Sequence, residues 1–197
     1  MQKLIVQGNK SLCGVVKISG SKNATLPILA ASILNNKKIE INNVPLVKDV
    51  ITMIELLKHI GSDIKINSKK KRILIHNKNN KFKTIAPYSL LKTMRAGVIV
   101  LGSLLSRFGK AKVSLPGGCT IGTRPVNLHL FALKKLGANI KIKNGYILAE
   151  AKNGLSGANI RFPSISVGST ENVIIAASYA KGVTHISNCA CEPEIKN

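Results

Sequence analysis

An internal repeat is the feature that most constrains how this chain can fold. The segment LKHIGSDIKI (residues 57–66) returns as LKKLGANIKI (133–142), and both read as the end of a helix, a terminating glycine and a strand. The segments LAAS (29–32), VLGS (100–103) and IAAS (175–178) are three versions of one buried helix, and the closing serine of each lies thirteen residues before Pro45, Pro116 or Cys191. The chain therefore contains three homologous units.

The sequence pattern of each unit predicts a strand, an apolar helix, a strand, an amphipathic helix and two more strands. Alternating segments follow the apolar helix in all three units, KIEIN (38–42), AKVSL (111–115) and THISN (184–188), and RILIH (72–76) and YILAE (146–150) close the first two. This predicts an α/β fold of repeated βαβαββ units, at about 14–80, 81–153 and 154–197. We expect the third unit to stop before its second helix, which makes the chain a fragment.

Composition limits the class of protein. With 45% hydrophobic residues in 197, the chain can bury a substantial core. It has no run of eighteen apolar residues and no signal-peptide pattern, because the N-terminal MQKLIV reads as a short strand. We therefore expect a cytoplasmic location. Cys13, Cys119, Cys189 and Cys191 should then be reduced thiols, and since their spacing is not that of a zinc site, we predict no metal.

The formal charge of +22 raises the question of a nucleic-acid or membrane partner. Most of the cations are lysines scattered among asparagines and isoleucines, whereas RNA-binding surfaces interleave arginines with aromatic residues, which are only 4% here. We interpret the charge as a solvated surface that attracts anionic substrates, with neither a nucleic acid nor a membrane as partner.

The second unit carries an insertion around Cys119. Sixteen residues separate Pro45 from Gly61, whereas twenty-one separate Pro116 from Gly137. Cys119 follows two glycines within this insertion, and nearby cations such as Lys22 and Arg124 would favour its thiolate. The alternative is an inert loop cysteine.

The N-termini of the three apolar helices differ in polarity. Lys22 with Asn23, Arg95, and residues 166–168 (Ser-Val-Gly) occupy these ends, where free backbone N–H groups and the helix dipole favour anions. If the units pack around a common axis, these positions converge on a phosphate site. The guanidinium of Arg124 also suits a phosphate or a carboxylate. His129 could be a base, although capping or orienting the cysteine loop is the favoured interpretation.

These residues belong to motifs that resemble one family. The segments SGSKNA (19–24), LKTMRA (91–96), PGGCTIGTRPVNLH (116–129), SVG (166–168) and EPEI (192–195) together resemble the UDP-N-acetylglucosamine 1-carboxyvinyltransferases. The resemblance implies two inside-out α/β barrel-like domains, with residues 21–197 in the first and residues 1–20 in a second domain that this chain lacks. It also implies transfer of the enolpyruvyl group of phosphoenolpyruvate to the sugar 3-hydroxyl, without metal or cofactor, as the first committed step of peptidoglycan synthesis.

The resemblance assigns roles to residues of this chain. Cys119 is implied as the general acid, also able to attack phosphoenolpyruvate covalently. The residues implied to bind phosphoenolpyruvate are Lys22, Asn23 and Arg124. Those implied to bind UDP-N-acetylglucosamine are Asn23, Arg95, Arg124, Pro125, Val126, Asn127, Leu128, Ser164, Ile165, Ser166, Val167 and Gly168.

Two positions depart from the family pattern, because Asn127 stands where an aspartate is frequent and Ser164 where a lysine is frequent. The family's catalytic aspartate and further arginines come from the half that is absent here, so we expect no turnover from the 197 residues alone. Two other hypotheses remain open: the related shikimate-pathway enolpyruvyl transferase, against which the Cys119 loop argues, and a non-enzymatic basic fragment.

Overall fold

The computed structural model describes residues 3–9, 11–78, 82–117 and 126–196. The helices are α1 (Lys22–Ala31), α2 (Lys48–Ile60), α3 (Tyr88–Leu91), α4 (Val100–Phe108), α5 (Asn127–Lys135), α6 (Val167–Ala177) and α7 (Pro193–Lys196). The strands are β1 (Ile39–Ile41), β2 (Asp63–Asn67), β3 (Arg72–His76), β4 (Ile85–Ala86), β5 (Lys110–Ser114), β6 (Asn139–Lys143), β7 (Tyr146–Glu150), β8 (Asn159–Arg161) and β9 (His185–Ser187). Two 3-10 helices, Ser32–Leu34 and Arg95–Ile99, respectively extend α1 and precede α4.

Each unit has a sheet of its own. The first has the strand order β1-β3-β2, with both pairs antiparallel, and the second has the order β4-β5-β7-β6, in which β4 pairs parallel with β5 and the other pairs are antiparallel. The third sheet is the parallel pair β8-β9. The α/β fold predicted from the sequence is confirmed, and the three sheets follow the order of the three predicted units along the chain.

Burial explains why these segments are strands. β3 and β7 alternate between buried residues and half-buried or exposed ones, since one face of each packs on a helix layer. Gly61 and Gly137, at the ends of the amphipathic helices α2 and α5, have φ values of 128° and 94°, which favour glycine over other residues. Helix α2 buries one side, including Val50, Met53 and Leu57.

The apolar helices α1, α4 and α6 lie at the centre, packed against one another. This arrangement places helices where other α/β proteins place their sheet, and it agrees with the inside-out fold expected from the resemblance. Because the helices approach closely, their small polar side chains bond across the contacts. Ser103 and Asn172 are completely buried, and the side chain of each forms a hydrogen bond to a neighbouring helix.

The ends of the described chain differ from expectation in two details, while the third unit is incomplete as expected. Residues 3–9 and 11–18 contain no strand, and apolar side chains such as Leu4 and Val15 are exposed there. The physical reason is that a strand needs a neighbour for its backbone hydrogen bonds, and no described strand pairs with this segment. The third unit was expected to stop before its second helix, but α7 forms the first turn of that helix.

Candidate functional site

Helices α4 and α6 run in the same direction. The Gly102 N–H donates to Asn172 Oδ1 at 2.9 Å, and Ser106 Oγ donates to the carbonyl of Ala176 at 2.9 Å. A step of four residues toward the C-terminus of α4 is thus matched by a step of four residues toward the C-terminus of α6. This is possible only if the two N-termini lie at the same end of the helix pair.

The same reasoning orients α1. Ser103 Oγ donates to the carbonyl of Ala30 at 2.7 Å, and the guanidinium of Arg107 donates to the carbonyl of Ile33, in the 3-10 turn that continues α1. The three central helices are therefore parallel. The 3-10 helix that begins at Arg95 packs against both α1 and α6.

The first turns of these helices contribute no acid of their own. Neither α1, α4, α6 nor the 3-10 helix at Arg95 has an acidic residue in its first turn. Lys22 is the first residue of α1, where the helix dipole is already positive. The shared end of the three helices is thus suited to an anion.

Side chains at the first and third N-termini act as caps. Ser21 Oγ accepts from the Ala24 N–H at 3.2 Å, and Ser166 Oγ accepts from the Ser169 N–H at 3.4 Å. Each cap satisfies one of the orphan donors of its helix. The remaining N–H groups of the first turns have no intrahelical partner and can bond to a ligand.

An ion pair holds the side chain of Lys22. Its Nζ lies 3.1 Å from Oδ2 of Asp49, in the first turn of α2, and the two side chains are 46% and 38% exposed. Asp49 was not predicted from the sequence. The available signal was its charge, because an acid in a chain with only eight Asp and Glu residues is itself informative.

The first turn of α5 contains three of the predicted sugar-nucleotide residues, Val126 as its N-cap followed by Asn127 and Leu128. Asn127 is exposed, whereas Val126 and Leu128 are half-buried. The next residue, His129, fixes this turn to α6: its Nδ1 lies 3.0 Å from Nδ2 of Asn172. The ring also lies against Gly168, where a Cβ atom would be in ordinary van der Waals contact with it, 3.4 Å from Cε1.

The tautomer of His129 follows from this network. Asn172 uses its Oδ1 to accept from the Gly102 N–H, so its Nδ2 must donate to His129 Nδ1. The ring proton is therefore on Nε2. Burial lowers the pKa of His129 to about 4, and the ring is neutral at pH 7. These contacts support orientation of the helix start as its role.

The other predicted residues have separate placements. Asn23 is exposed in the first turn of α1, and Arg95 is half-buried. Ser164 and Ile165 are exposed just before the cap Ser166, and Val167 and Gly168 begin α6. All of these lie at or next to the N-terminal ends described above.

Cys119, Arg124 and Pro125 lie outside the described residues. The entry to their loop is fixed by Gly117, where a Cβ atom would lie 2.6 Å from the carbonyl oxygen of Lys92. The backbone that leads to Cys119 therefore touches the segment that leads to Arg95.

Neither a metal-binding cluster nor a membrane-spanning helix is present in the described part of the chain. No group of three His, Cys, Asp or Glu side chains there could hold a metal ion. None of its helices is both long enough and apolar enough to cross a bilayer.

The family model for EPSP synthase (3-phosphoshikimate 1-carboxyvinyltransferase) matches residues 6–197. The chain belongs to this family. Within it, UDP-N-acetylglucosamine 1-carboxyvinyltransferase of Pelagibacter ubique (strain HTCC1062) is 62% identical over 197 residues, covering 100% of the chain and 46% of the relative. The protein of that name from Campylobacter fetus subsp. fetus (strain 82-40) is 50% identical over 195 residues, 99% of the chain and 46% of the relative. The chain thus spans less than half the length of these relatives.

Solved structures confirm the predicted fold. The enolpyruvyl transferase NikO from Streptomyces tendae superposes with a TM-score of 0.77 at 16% identity, over 96% of this chain and 44% of that one. EPSP synthase from Acinetobacter baumannii gives a TM-score of 0.76 at 15% identity, over 96% and 43%. At these identities the likeness concerns the fold alone.

Proposed function

We propose that the chain supplies one half of a UDP-N-acetylglucosamine 1-carboxyvinyltransferase. This enzyme moves the enolpyruvyl group of phosphoenolpyruvate to the 3-hydroxyl of UDP-N-acetylglucosamine and releases phosphate. The observation that carries the proposal is the parallel alignment of α1, α4 and α6, whose N-termini share one end with Lys22 and have no acid in their first turns. Both substrates are phosphorylated, and the names of relatives at 50–62% identity select them among phosphorylated compounds.

The proposed roles are those that the family resemblance implies for these residues. Lys22 and Asn23, in the first turn of α1, would bind phosphoenolpyruvate together with Arg124. Arg95 and the start of α6 (Ser164, Ile165, Ser166, Val167 and Gly168) would bind the diphosphate side of the sugar nucleotide. Arg124, Pro125, Val126, Asn127 and Leu128 would surround the uracil, next to the turn that His129 fixes to α6.

Cys119 is the proposed acid. Protonation of the methylene carbon of phosphoenolpyruvate makes C2 electrophilic, and the sugar 3-hydroxyl oxygen then bonds to C2 and loses its proton to a base. Cleavage of the bond between C2 and the phosphate oxygen, with return of the methyl proton, restores the double bond. Positive charge at the helix ends stabilises the departing phosphate.

The proposal also covers the cellular setting. A role in peptidoglycan synthesis, a cytoplasmic location and sensitivity to fosfomycin go with the function proposed. The relatives' names support the transferase activity itself, and the free thiols of Cys13, Cys189 and Cys191 are compatible with a reducing compartment. Solvated lysines then serve to attract anionic substrates, with no nucleic acid or membrane as partner.

The test uses a full-length chimera in which these 197 residues replace the matching segment of the Pelagibacter ubique relative. At 62% identity the replaced surface should accept the remainder of that relative. We expect phosphate release that requires both phosphoenolpyruvate and UDP-N-acetylglucosamine, and none from the 197 residues alone. Lys22→Ala should lower kcat/KM by about 100-fold or more, whereas Lys134→Ala, at an exposed position of α5, should have no effect.

A chimera that unfolds cooperatively and releases no phosphate contradicts the proposal. Thermal stabilisation by shikimate 3-phosphate, but not by UDP-N-acetylglucosamine, would favour the shikimate-pathway reaction. A steeply salt-dependent affinity for RNA, without a response to the sugar nucleotide, would favour the basic fragment without catalytic function.

A further inference from the structure

Three of the eight acidic residues of this chain gather at one place. Glu171 lies in α6, Glu192 immediately precedes α7, and Glu194 lies within it. The Ala190 N–H donates to Oγ1 of Thr170 at 3.1 Å, which brings the chain before α7 against α6. The cluster therefore joins two elements of the third unit.

None of the three carboxylates has a cationic partner within the described residues. The ion pairs found there are Lys22–Asp49 and Arg72–Glu40. Glu171 is only 8% exposed, and neither ion pair of the described residues involves its side chain. Oε2 of Glu192 is buried and has no hydrogen-bond partner. In a chain with thirty lysines and arginines, this lack of pairing is not caused by a shortage of cations.

Such an arrangement is costly when nothing compensates it. A buried carboxylate loses its hydration, and a neighbouring carboxylate adds repulsion. Burial, then the charges of Glu194 and Glu192, raise the pKa of Glu171 to about 7. The three carboxylates thus resemble the negative side of an ion-pair network that lacks its cation.

The geometry does not favour a metal ion as the missing partner. No three acidic, histidine or cysteine side chains in the described ranges are placed to coordinate one. A guanidinium fits better, since its five N–H donors can bond to several carboxylates at once. The relatives are more than twice as long as the segment they share with this chain, so they contain a large surface that can provide one.

We propose that Glu171, Glu192 and Glu194 form the receptor for an arginine side chain from the remainder of the full-length protein. This contact would join the two halves at α6 and α7. Helix α7 buries no residue of its own in this structure, so its surface is available for the contact. The inference rests on the family and on the unpaired carboxylates, and it does not depend on the proposed reaction.

The test compares Glu171→Gln in two proteins, the 197-residue chain and the chimera with the remainder of the Pelagibacter ubique relative. In the isolated chain the substitution removes an unpaired buried charge, so the midpoint of thermal unfolding should rise or stay unchanged. In the chimera it removes the partner of an arginine, so the midpoint should fall by roughly 3–6 °C. Glu55→Gln, at an exposed position of α2, is the control and should change neither.

A change of the same sign in both proteins overturns the proposal. If the isolated chain does not unfold cooperatively, the crystal structure of the chimera decides. A guanidinium within about 4 Å of Glu171 or Glu192 supports the proposal, and its absence overturns it. Phosphate release plays no part in either measurement, so the outcome is independent of the proposed function.

Discussion

The ammonium group of Lys22 lies 3.1 Å from a carboxylate oxygen of Asp49, so the first turns of α1 and α2 are joined at the proposed phosphate site. Both side chains are more than a third exposed. A pair of this kind contributes little to the free energy of unfolding, because solvent screens it. Its effect is on position, since it restricts a flexible four-carbon side chain to one location.

Asp49→Asn should therefore weaken the binding of phosphoenolpyruvate more than it weakens the fold. In the chimera we expect the KM for phosphoenolpyruvate to rise about fivefold, which corresponds to about 1 kcal/mol. The midpoint of thermal unfolding should stay within about 2 °C. Steady-state kinetics and a thermal melt measure the two effects.

The second ion pair of the described residues provides the matched control. Arg72 and Glu40 join β3 and β1 at 3.2 Å, with side chains exposed to a similar degree. Glu40→Gln should leave the KM unchanged. If Asp49→Asn lowers the KM instead, Asp49 competes with the substrate for Lys22 and does not position it.

Gly102 is required by the contact between α4 and α6. The equivalent residues of the other units are Ala31 and Ala177, but a Cβ atom at Gly102 would lie 2.6 Å from the carbonyl oxygen of Asn172 and even closer to its side chain. Helix propensity alone predicts that Gly102→Ala stabilises the fold by about 1 kcal/mol. We expect the steric effect to dominate and the free energy of unfolding to fall by about 2 kcal/mol.

Chemical denaturation of the Gly102→Ala variant measures this change. The control is Ala31→Gly, at the equivalent position of α1, where the loss of propensity and of a partly buried methyl group should together cost about 1–2 kcal/mol. A Gly102→Ala variant that is more stable than the parent would mean that the close contact between α4 and α6 does not exist.

Local sequence features predicted the fold. The strands β1, β5 and β9 follow from alternation and from the thirteen-residue register, both of which are visible within one unit. The N-terminal MQKLIV was likewise predicted to be a strand from its own residues alone. A strand also needs a partner, and that requirement is not visible in the segment itself.

The contacts of the site depend on distant residues and could not be predicted in the same way. Asp49 meets Lys22 across 27 residues, and Asn172 meets His129 across 43 and Gly102 across 70. One signal was available for the last pair. Asn172 is a polar residue inside an apolar helix, and Gly102 is a glycine where the other units have alanine. Each departs from the repeat, and the two changes compensate each other.

Cys119 lies outside the described residues, and its reactivity remains a prediction from the sequence. In the chimera, an epoxide of the fosfomycin type should alkylate Cys119 and abolish phosphate release, because low-pKa thiolates react fastest. Mass spectrometry of peptides locates the label. Cys13, which is exposed, is the internal control, and equal labelling of Cys13 and Cys119 would show that Cys119 is not activated.

His129 and Glu171 should give the stability of the chain opposite dependences on pH. The pKa of His129 falls from 6.5 to about 4 on folding, so the unfolded chain binds more protons between these values and stability is lost as pH falls. The pKa of Glu171 rises from 4.5 to about 7, so the folded chain binds more protons and stability is lost as pH rises. The two effects oppose each other between about pH 4.5 and 6.5, and the free energy of unfolding should be nearly flat there.

Single substitutions should expose each slope. In Glu171→Gln only the histidine effect remains, so the free energy of unfolding should rise between pH 4.5 and 6.5, by on the order of 2 kcal/mol. In His129→Asn, which keeps an acceptor for Nδ2 of Asn172, the free energy should fall over the same interval. Urea denaturation at four pH values measures both slopes. Parallel profiles for the parent and the two variants would mean that neither group titrates differently in the folded and unfolded states.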